Sequence, residues 1–376
     1  MLPVEGGEAR NLTPNASVSF SWCRWFPDGR RLLYVSWADL THQVGILDVA
    51  SGKTTVLVDD FVMGEAFGPR LSATPDLRYF AATHATPSHP YDAWFGKLTG
   101  ESGVAWQRLS RLNPLAEETF ALSPTRRIRY ESVDGWQIDA FLTLPLTPRG
   151  EGAPPLIVDV HGGPSWAYTD NWYDWSQMLA SAGFAVLQPN VRGSLGRGVA
   201  FADAVVGDMG GKDLQDVLHG VDYLIDQGLV DSERIGIMGW SYGGFMTAWA
   251  VTQTTRFKAA MMGAGVSDYH SFHAQSNIPD WDMRFIGVDP LEQPEQYRER
   301  SAITHAARVT TPTLIVHGEN DLCVPVNQAY AFYRALRERK VPVELVVYPR
   351  EGHGFSEKEH LRDLEERMLG WFEKYL

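Results

Sequence analysis

Gly239-Trp240-Ser241-Tyr242-Gly243 fits Gly-x-Ser-x-Gly, a pattern that sets a serine on a sharp strand-to-helix turn. The context suits it. The apolar run RIGIM (234–238) precedes the turn, and the helix-forming stretch GGFMTAWAVTQ follows the serine and tyrosine. Such a turn lifts the hydroxyl clear of the sheet, and the helix N-terminus beneath it favours developing negative charge. A serine hydroxyl is a weak nucleophile until a neighbouring base takes its proton. Two later segments offer that base and a group to orient it. TLIVHGENDLCVP puts Asp321 in a loop after a strand, and VELVVYPREGHGF puts His353 beyond the next strand, between Gly352 and Gly354. The order serine, acid, histidine is the one used where this turn carries a triad. Glu319 and Asp289 compete for the acid position, and Asp321 could instead cap the helix after it. Ser241, Asp321 and His353 are the expected catalytic residues, acting through an acyl-enzyme.

A tetrahedral intermediate needs hydrogen-bond donors for its oxyanion. The N–H of Tyr242, next after the nucleophile, is the first expected donor. The second is expected from VDVHGGPSW (158–166), at the Gly163 N–H. His161 reads as a structural residue of that loop rather than a second base. Gly193-Ser194-Leu195-Gly196-Arg197-Gly198 lacks the spacing and the lysine of a phosphate-binding loop, so it reads as a flexible turn. His353 and His360, seven apart, have no metal-ligand spacing. No metal and no cofactor are expected.

These residues need a sheet to hold them. The runs LIVDV (156–160), FAVLQP (184–189), RIGIM (234–238), KAAMMG (258–263), TLIVHG (313–318) and VELVVY (343–348) predict buried strands. Helices are predicted at 212–227, 243–254, 325–339 and 357–374. The alternation implies an α/β domain with a mostly parallel sheet covered on both faces. Residues 127–145 predict a hairpin turning at Asp134-Gly135. With the serine motif, residues 126–376 are expected to be a catalytic domain of α/β-hydrolase type, its boundary near ALSPTRR (121–127).

Residues 1–125 read differently, as β structure with repeats. Pro27-Asp28 recurs as Pro75-Asp76 and Ser51-Gly52 as Thr99-Gly100, both at an offset of 48. A period near 45 residues with one four-stranded unit each is that of β-propeller blades. Val4-Glu5-Gly6-Gly7 with Leu12 matches Val49-Ala50-Ser51-Gly52 with Leu57, which would place Met1 near the last strand of a blade. About two blades and a remnant make only part of a closed propeller, so a truncated propeller is expected, with a small β-sandwich as the plainer alternative. Open blade edges would offer unpaired backbone groups to a second chain, and a homo-oligomer is expected.

The composition narrows the class. The 376 residues are 44% apolar, with a formal charge of −13, which disfavours nucleic acid as a partner. Cys23 and Cys323 are too few and too far apart for a disulfide framework, and Cys323 reads as packing. No stretch approaches the roughly 18–20 apolar residues of a membrane span, and MLPVEGGEAR is not a signal peptide. No membrane partner and a cytoplasmic location are expected.

Together, GWSYGGFM (239–246), HGENDLCVP (317–325), EGHGF (351–355) and the propeller-like repeats resemble the prolyl oligopeptidase family of serine peptidases. Members combine a propeller that gates access with a hydrolase domain that cuts short peptides. His161-Gly162-Gly163-Pro164 resembles the acylaminoacyl-peptidase branch. The proline-specific branches carry a tyrosine where His161 stands, so the resemblance does not imply proline-specific cleavage. It implies short, N-acylated peptides as substrates. It also implies an apolar pocket for the side chain before the scissile bond, lined by Val266, Tyr269, Phe272 and Val324, with the Tyr242 ring added. Two rival functions remain on the same residues: a carboxylesterase, and an inactive or regulatory fragment lacking a closed propeller.

Overall fold

Turns rich in Asp, Gly and Pro cut the N-terminal third into short strands that pair with their chain neighbours. The computed structural model describes residues 1–2, 4–64, 71–100 and 103–376. The chain forms two units: Met1–Leu122 with Thr169–Tyr173 and Leu195–Ala202, and Ser123–Tyr168 with Asp174–Ser194 and Asp203–Leu376.

In the first unit, β1 (Ser19–Trp25), β2 (Arg31–Ala38), β3 (Thr41–Asp48) and β4 (Thr54–Val58) make one antiparallel sheet. A second is made by β5 (Leu71–Ala73), β6 (Tyr79–Thr86), β7 (His89–Leu98) and β8 (Val104–Arg108). The 48-residue offset maps turn onto turn. Asp28 Oδ1 accepts the Arg30 N–H (2.8 Å) between β1 and β2, and Asp76 Oδ1 accepts the Arg78 N–H (3.2 Å) between β5 and β6. Leu33, Val35, Val44 and Ile46 pack with Leu77, Phe80 and Ala82 in one core. Within it Phe61 is stacked between His84 and Trp106, with ring centroids 4.2 and 4.0 Å away. Residues 4–12 form no strand. Met1 and Arg10 exchange two backbone hydrogen bonds instead, and Leu12 packs on Leu32, Tyr34 and Leu47.

The second unit is an α/β layer. Its strands are β9 (Thr125–Glu131), β10 (Gln137–Thr143), β11 (Leu156–Val160), β12 (Ala185–Pro189), β13 (Ile235–Trp240), β14 (Ala259–Gly263), β15 (Thr313–Gly318) and β16 (Val343–Tyr348). They form one sheet in the order β16-β15-β14-β13-β11-β12-β10-β9. From β12 to β16 every pairing is parallel, and β9 and β10 are antiparallel. Strands β11, β12, β14 and β15 are buried at every residue, which is why they read as mainly apolar runs without alternation. The β9–β10 hairpin turns at Asp134 (φ 64°) and Gly135 (φ 72°), the double left-handed pair that a tight hairpin needs.

The chain leaves β11 for β12 on one side and then returns to β13 on the other. In open sheets of this kind, ligands bind at the carboxyl ends of the strands beside such a reversal. The helix Tyr242–Gln253 has eleven buried residues, Tyr242 to Thr252, and packs on β13 and β14. Three short helices between β14 and β15 were not predicted: Tyr269–Gln275, Pro279–Ile286 and Pro294–Arg300. At seven or eight residues they are too short to show a helical period, and proline opens two of them.

Candidate active site

Ser241 follows β13 directly and holds φ 62°, ψ −117°, a conformation a β-carbon disfavours. Its neighbours impose it. The Ser241 N–H donates to the Gly263 carbonyl (2.9 Å), and the Ser241 carbonyl accepts the Phe245 N–H (2.9 Å). The flanking glycines leave room for this turn. A Cβ on Gly239 would stand 2.6 Å from the Gly243 carbonyl carbon, and one on Gly243 would run into the Val160 carbonyl. Helix and strand therefore meet backbone to backbone.

The loops after β15 and β16 are zipped together. The Glu319 N–H donates to the Tyr348 carbonyl (2.9 Å) and the Asn320 N–H to the Glu351 carbonyl (2.8 Å). This pairing brings His353 Nδ1 to 2.7 Å from Asp321 Oδ2. A carboxylate only accepts, so Nδ1 carries the proton of that bond and Nε2 is left free to act as a base. The Asp321 side chain is buried and also accepts the N–H groups of Cys323 (2.9 Å) and Val324 (2.8 Å). Burial pushes its pKa up, but the hydrogen bonds from His317 and His353 outweigh that and hold it at about 2. Glu319 and Asp289 are engaged elsewhere, with the backbone N–H groups of Arg350 and Leu291. Trp240, one residue before Ser241, donates its indole N–H to the His353 carbonyl (2.8 Å). That bond ties the histidine loop to the serine turn.

The loop after β11 reaches the same turn. A Cβ on Gly162 would lie 3.4 Å from Ser241 Cβ and 3.3 Å from the Trp240 carbonyl. Gly163 has φ 123° and precedes a cis Pro164. Among the described residues neither the Gly163 nor the Tyr242 N–H has a hydrogen-bond acceptor. His161 is 2% exposed, with Nδ1 on the Gly162 carbonyl (2.6 Å) and Nε2 on Ser194 Oγ (2.8 Å). Burial lowers its pKa to about 4, so it is neutral at pH 7.

Val266, Tyr269, Phe272 and Val324 are all buried, the most open being 3% exposed. Tyr269 meets the rings of Phe245, Phe272 and Trp281, and Val324 is bonded through its backbone to Asp321 and His317. The Tyr242 ring is also buried, and its hydroxyl donates to Asp213 (2.6 Å). Sequence reading missed Asp213. It also missed His317, which donates from Nε2 to the Val324 carbonyl (2.7 Å) and lies 3.4 Å from Asp321 Oδ2. Neither has a local motif of its own. His360 gathers with Glu351 and Glu357, but Glu351 accepts the Ser356 and Glu357 N–H groups and His360 Nδ1, while Glu357 pairs with Arg350.

The chain itself has relatives among known proteins. The model of the prolyl oligopeptidase family matches residues 171–376. The chain belongs to that family. It is 36% identical to "Uncharacterized peptidase YuxL" of Bacillus subtilis, over 81% of this chain and 47% of that one. It is 29% identical to the acylamino-acid-releasing enzyme of Rattus norvegicus, over 94% of this chain and 50% of that one. A solved acylaminoacyl peptidase in complex with Z-Gly-Gly-Phe-chloromethyl ketone superposes with a TM-score of 0.86 at 28% identity, covering 99% of this chain and 58% of that one. The chain spans about half the length of the curated relatives it matches. Among the described residues no helix is long and apolar enough to cross a membrane.

Proposed function

We propose that this prolyl oligopeptidase family member is a serine peptidase of the acylaminoacyl-peptidase kind, cutting short N-acylated peptides through an acyl-enzyme. Ser241 attacks the scissile carbonyl, His353 Nε2 takes its proton and returns it to the leaving amine, and Asp321 holds the imidazole in the working tautomer. The Tyr242 and Gly163 N–H groups receive the oxyanion. Val266, Tyr269, Phe272 and Val324 form the wall of the pocket for the side chain before the cut. The 2.7 Å bond between His353 and Asp321 carries the reading. It joins two loops that both leave the carboxyl ends of parallel strands, where the serine turn also lies.

The sheet order and the serine turn support an α/β-hydrolase domain over residues 126–376. The two matching four-stranded sheets support a partial propeller over residues 1–125. The relatives named as acylamino-acid-releasing enzymes support the substrate class. No metal or cofactor enters the mechanism, and a cytoplasmic, self-associating protein completes the proposal. A fluorophosphonate probe tests it, together with an N-acetyl peptide anilide and a matching ester. Labelling at Ser241 with turnover of the anilide is expected. Labelling with ester turnover alone would make the protein an esterase, and no labelling would remove the nucleophile assignment.

A further inference from the structure

Asp213 is a carboxylate that the mechanism above leaves unused, yet it is wholly buried beside the nucleophile helix. Its Oδ2 accepts the Tyr242 hydroxyl (2.6 Å) and the Gly210 N–H (2.9 Å), and its Oδ1 accepts the Leu214 N–H (2.9 Å). The turn just before it takes a second grip on the nucleophile helix, because the Gly210 carbonyl accepts the Trp249 indole N–H (2.6 Å). Tyr242 and Trp249 are seven residues, close to two turns, apart and so share one face of the helix. Gly210 and Asp213, at the entry to the helix Lys212–Asp226, therefore clamp the nucleophile helix at its first residue and again two turns on. Tyr242 is also the residue whose N–H adjoins Ser241. Its ring is 1% exposed, so ring and backbone cannot shift separately without breaking the bond to Asp213.

We infer that Asp213 is a positioning residue for catalysis, holding the Tyr242 side chain so that the Tyr242 N–H stays aimed at the substrate oxygen. This rests on the function proposed above. Small displacements of such a donor cost rate without costing substrate affinity, because the bond strengthens only as the oxyanion forms.

The test uses the full chain with Asp213→Asn and Tyr242→Phe, the latter removing only a hydroxyl. Both are assayed on an N-acetyl amino-acid ester and on its thiono analogue, in which sulfur replaces the carbonyl oxygen. Sulfur is a poor acceptor, so an intact oxyanion hole gives a large oxo-to-thiono ratio in kcat. We expect each variant to lower kcat on the oxo ester about 10- to 100-fold, on the scale set by losing a donor outright. KM should stay within about twofold of wild type, the oxo-to-thiono ratio should fall, and the double variant should be no worse than the poorer single one. An unchanged ratio in Tyr242→Phe would overturn the inference whatever happens to kcat, because a purely structural role lowers both rates together. If wild type itself takes no fluorophosphonate label, the proposed function fails first and this inference with it.

Discussion

The Asp321 carboxylate receives the His353 imidazole, two backbone N–H groups and, at 3.4 Å, the His317 imidazole. Such a crowd of donors keeps it ionised and fixes its direction. On the proposed mechanism the three act as a unit, so Ser241→Ala, His353→Ala and Asp321→Asn should each lower kcat about 10³- to 10⁴-fold or more. Near wild-type turnover in His353→Ala would refute the base assignment. The acid also leaves a mark on stability. Its folded pKa of about 2 lies below the ordinary 3.8. Its contribution is thus present above pH 4 and is lost as the pH falls from about 4 to 2. That depression corresponds to about 2 kcal/mol. Urea unfolding at pH 5 and at pH 2.5 should show a smaller difference in Asp321→Asn than in wild type. Equal differences would mean the carboxylate is not held as described.

The serine turn is an element-scale device, because its strain is carried by contacts from β11, β13 and β14 together. Gly243 has no room for a side chain against the Val160 carbonyl, whereas a Cβ on Gly354 would meet nothing within 4 Å. Gly243→Ala should therefore destabilise by about 1–3 kcal/mol, the cost of overpacking, and should depress kcat as the turn shifts. Gly354→Ala should stay within about 0.5 kcal/mol of wild type in the same urea titration. Equal effects at the two positions would show that backbone approach does not shape the turn. The zipped loops after β15 and β16 matter in the same way, since they carry the acid and the histidine on separate strands into one hydrogen bond.

At the scale of the whole molecule, the sheets of the first unit set the expectation for association. Strand β1 lies at the edge of its sheet and exposes Phe20 (40%) and Trp25 (46%). An edge strand with apolar side chains offers its unpaired backbone groups to another chain. Light scattering should report a mass of at least twice the chain, falling when Trp25 is replaced by lysine. A monodisperse monomer would contradict the proposed self-association.

Much of the frame was legible along the chain. The apolar runs at 156–160 and 313–318 became β11 and β15 because strands buried in a parallel sheet need no polar face. The run at 343–348, expected to be buried, became the part-exposed edge strand β16, which has a neighbour on one side only. The glycines around Ser241 marked a turn that few sequences can make. The Pro-Asp pair repeated at a 48-residue offset located matching turns because Asp28 and Asp76 each cap their own backbone. Other features were settled only when distant segments met. Asp321 is bonded to His353 while Glu319, two residues away, is not, and nothing in their spacing distinguishes them. The Tyr242 hydroxyl finds Asp213, twenty-nine residues earlier in the chain. His317, near the end of β15, reaches Asp321 because the chain curls back just after that strand. Local pattern reports which face of an element is buried, because burial repeats with the helix or strand period. A hydrogen bond between side chains from different loops has no period, and only the packed sheet brings its two ends together.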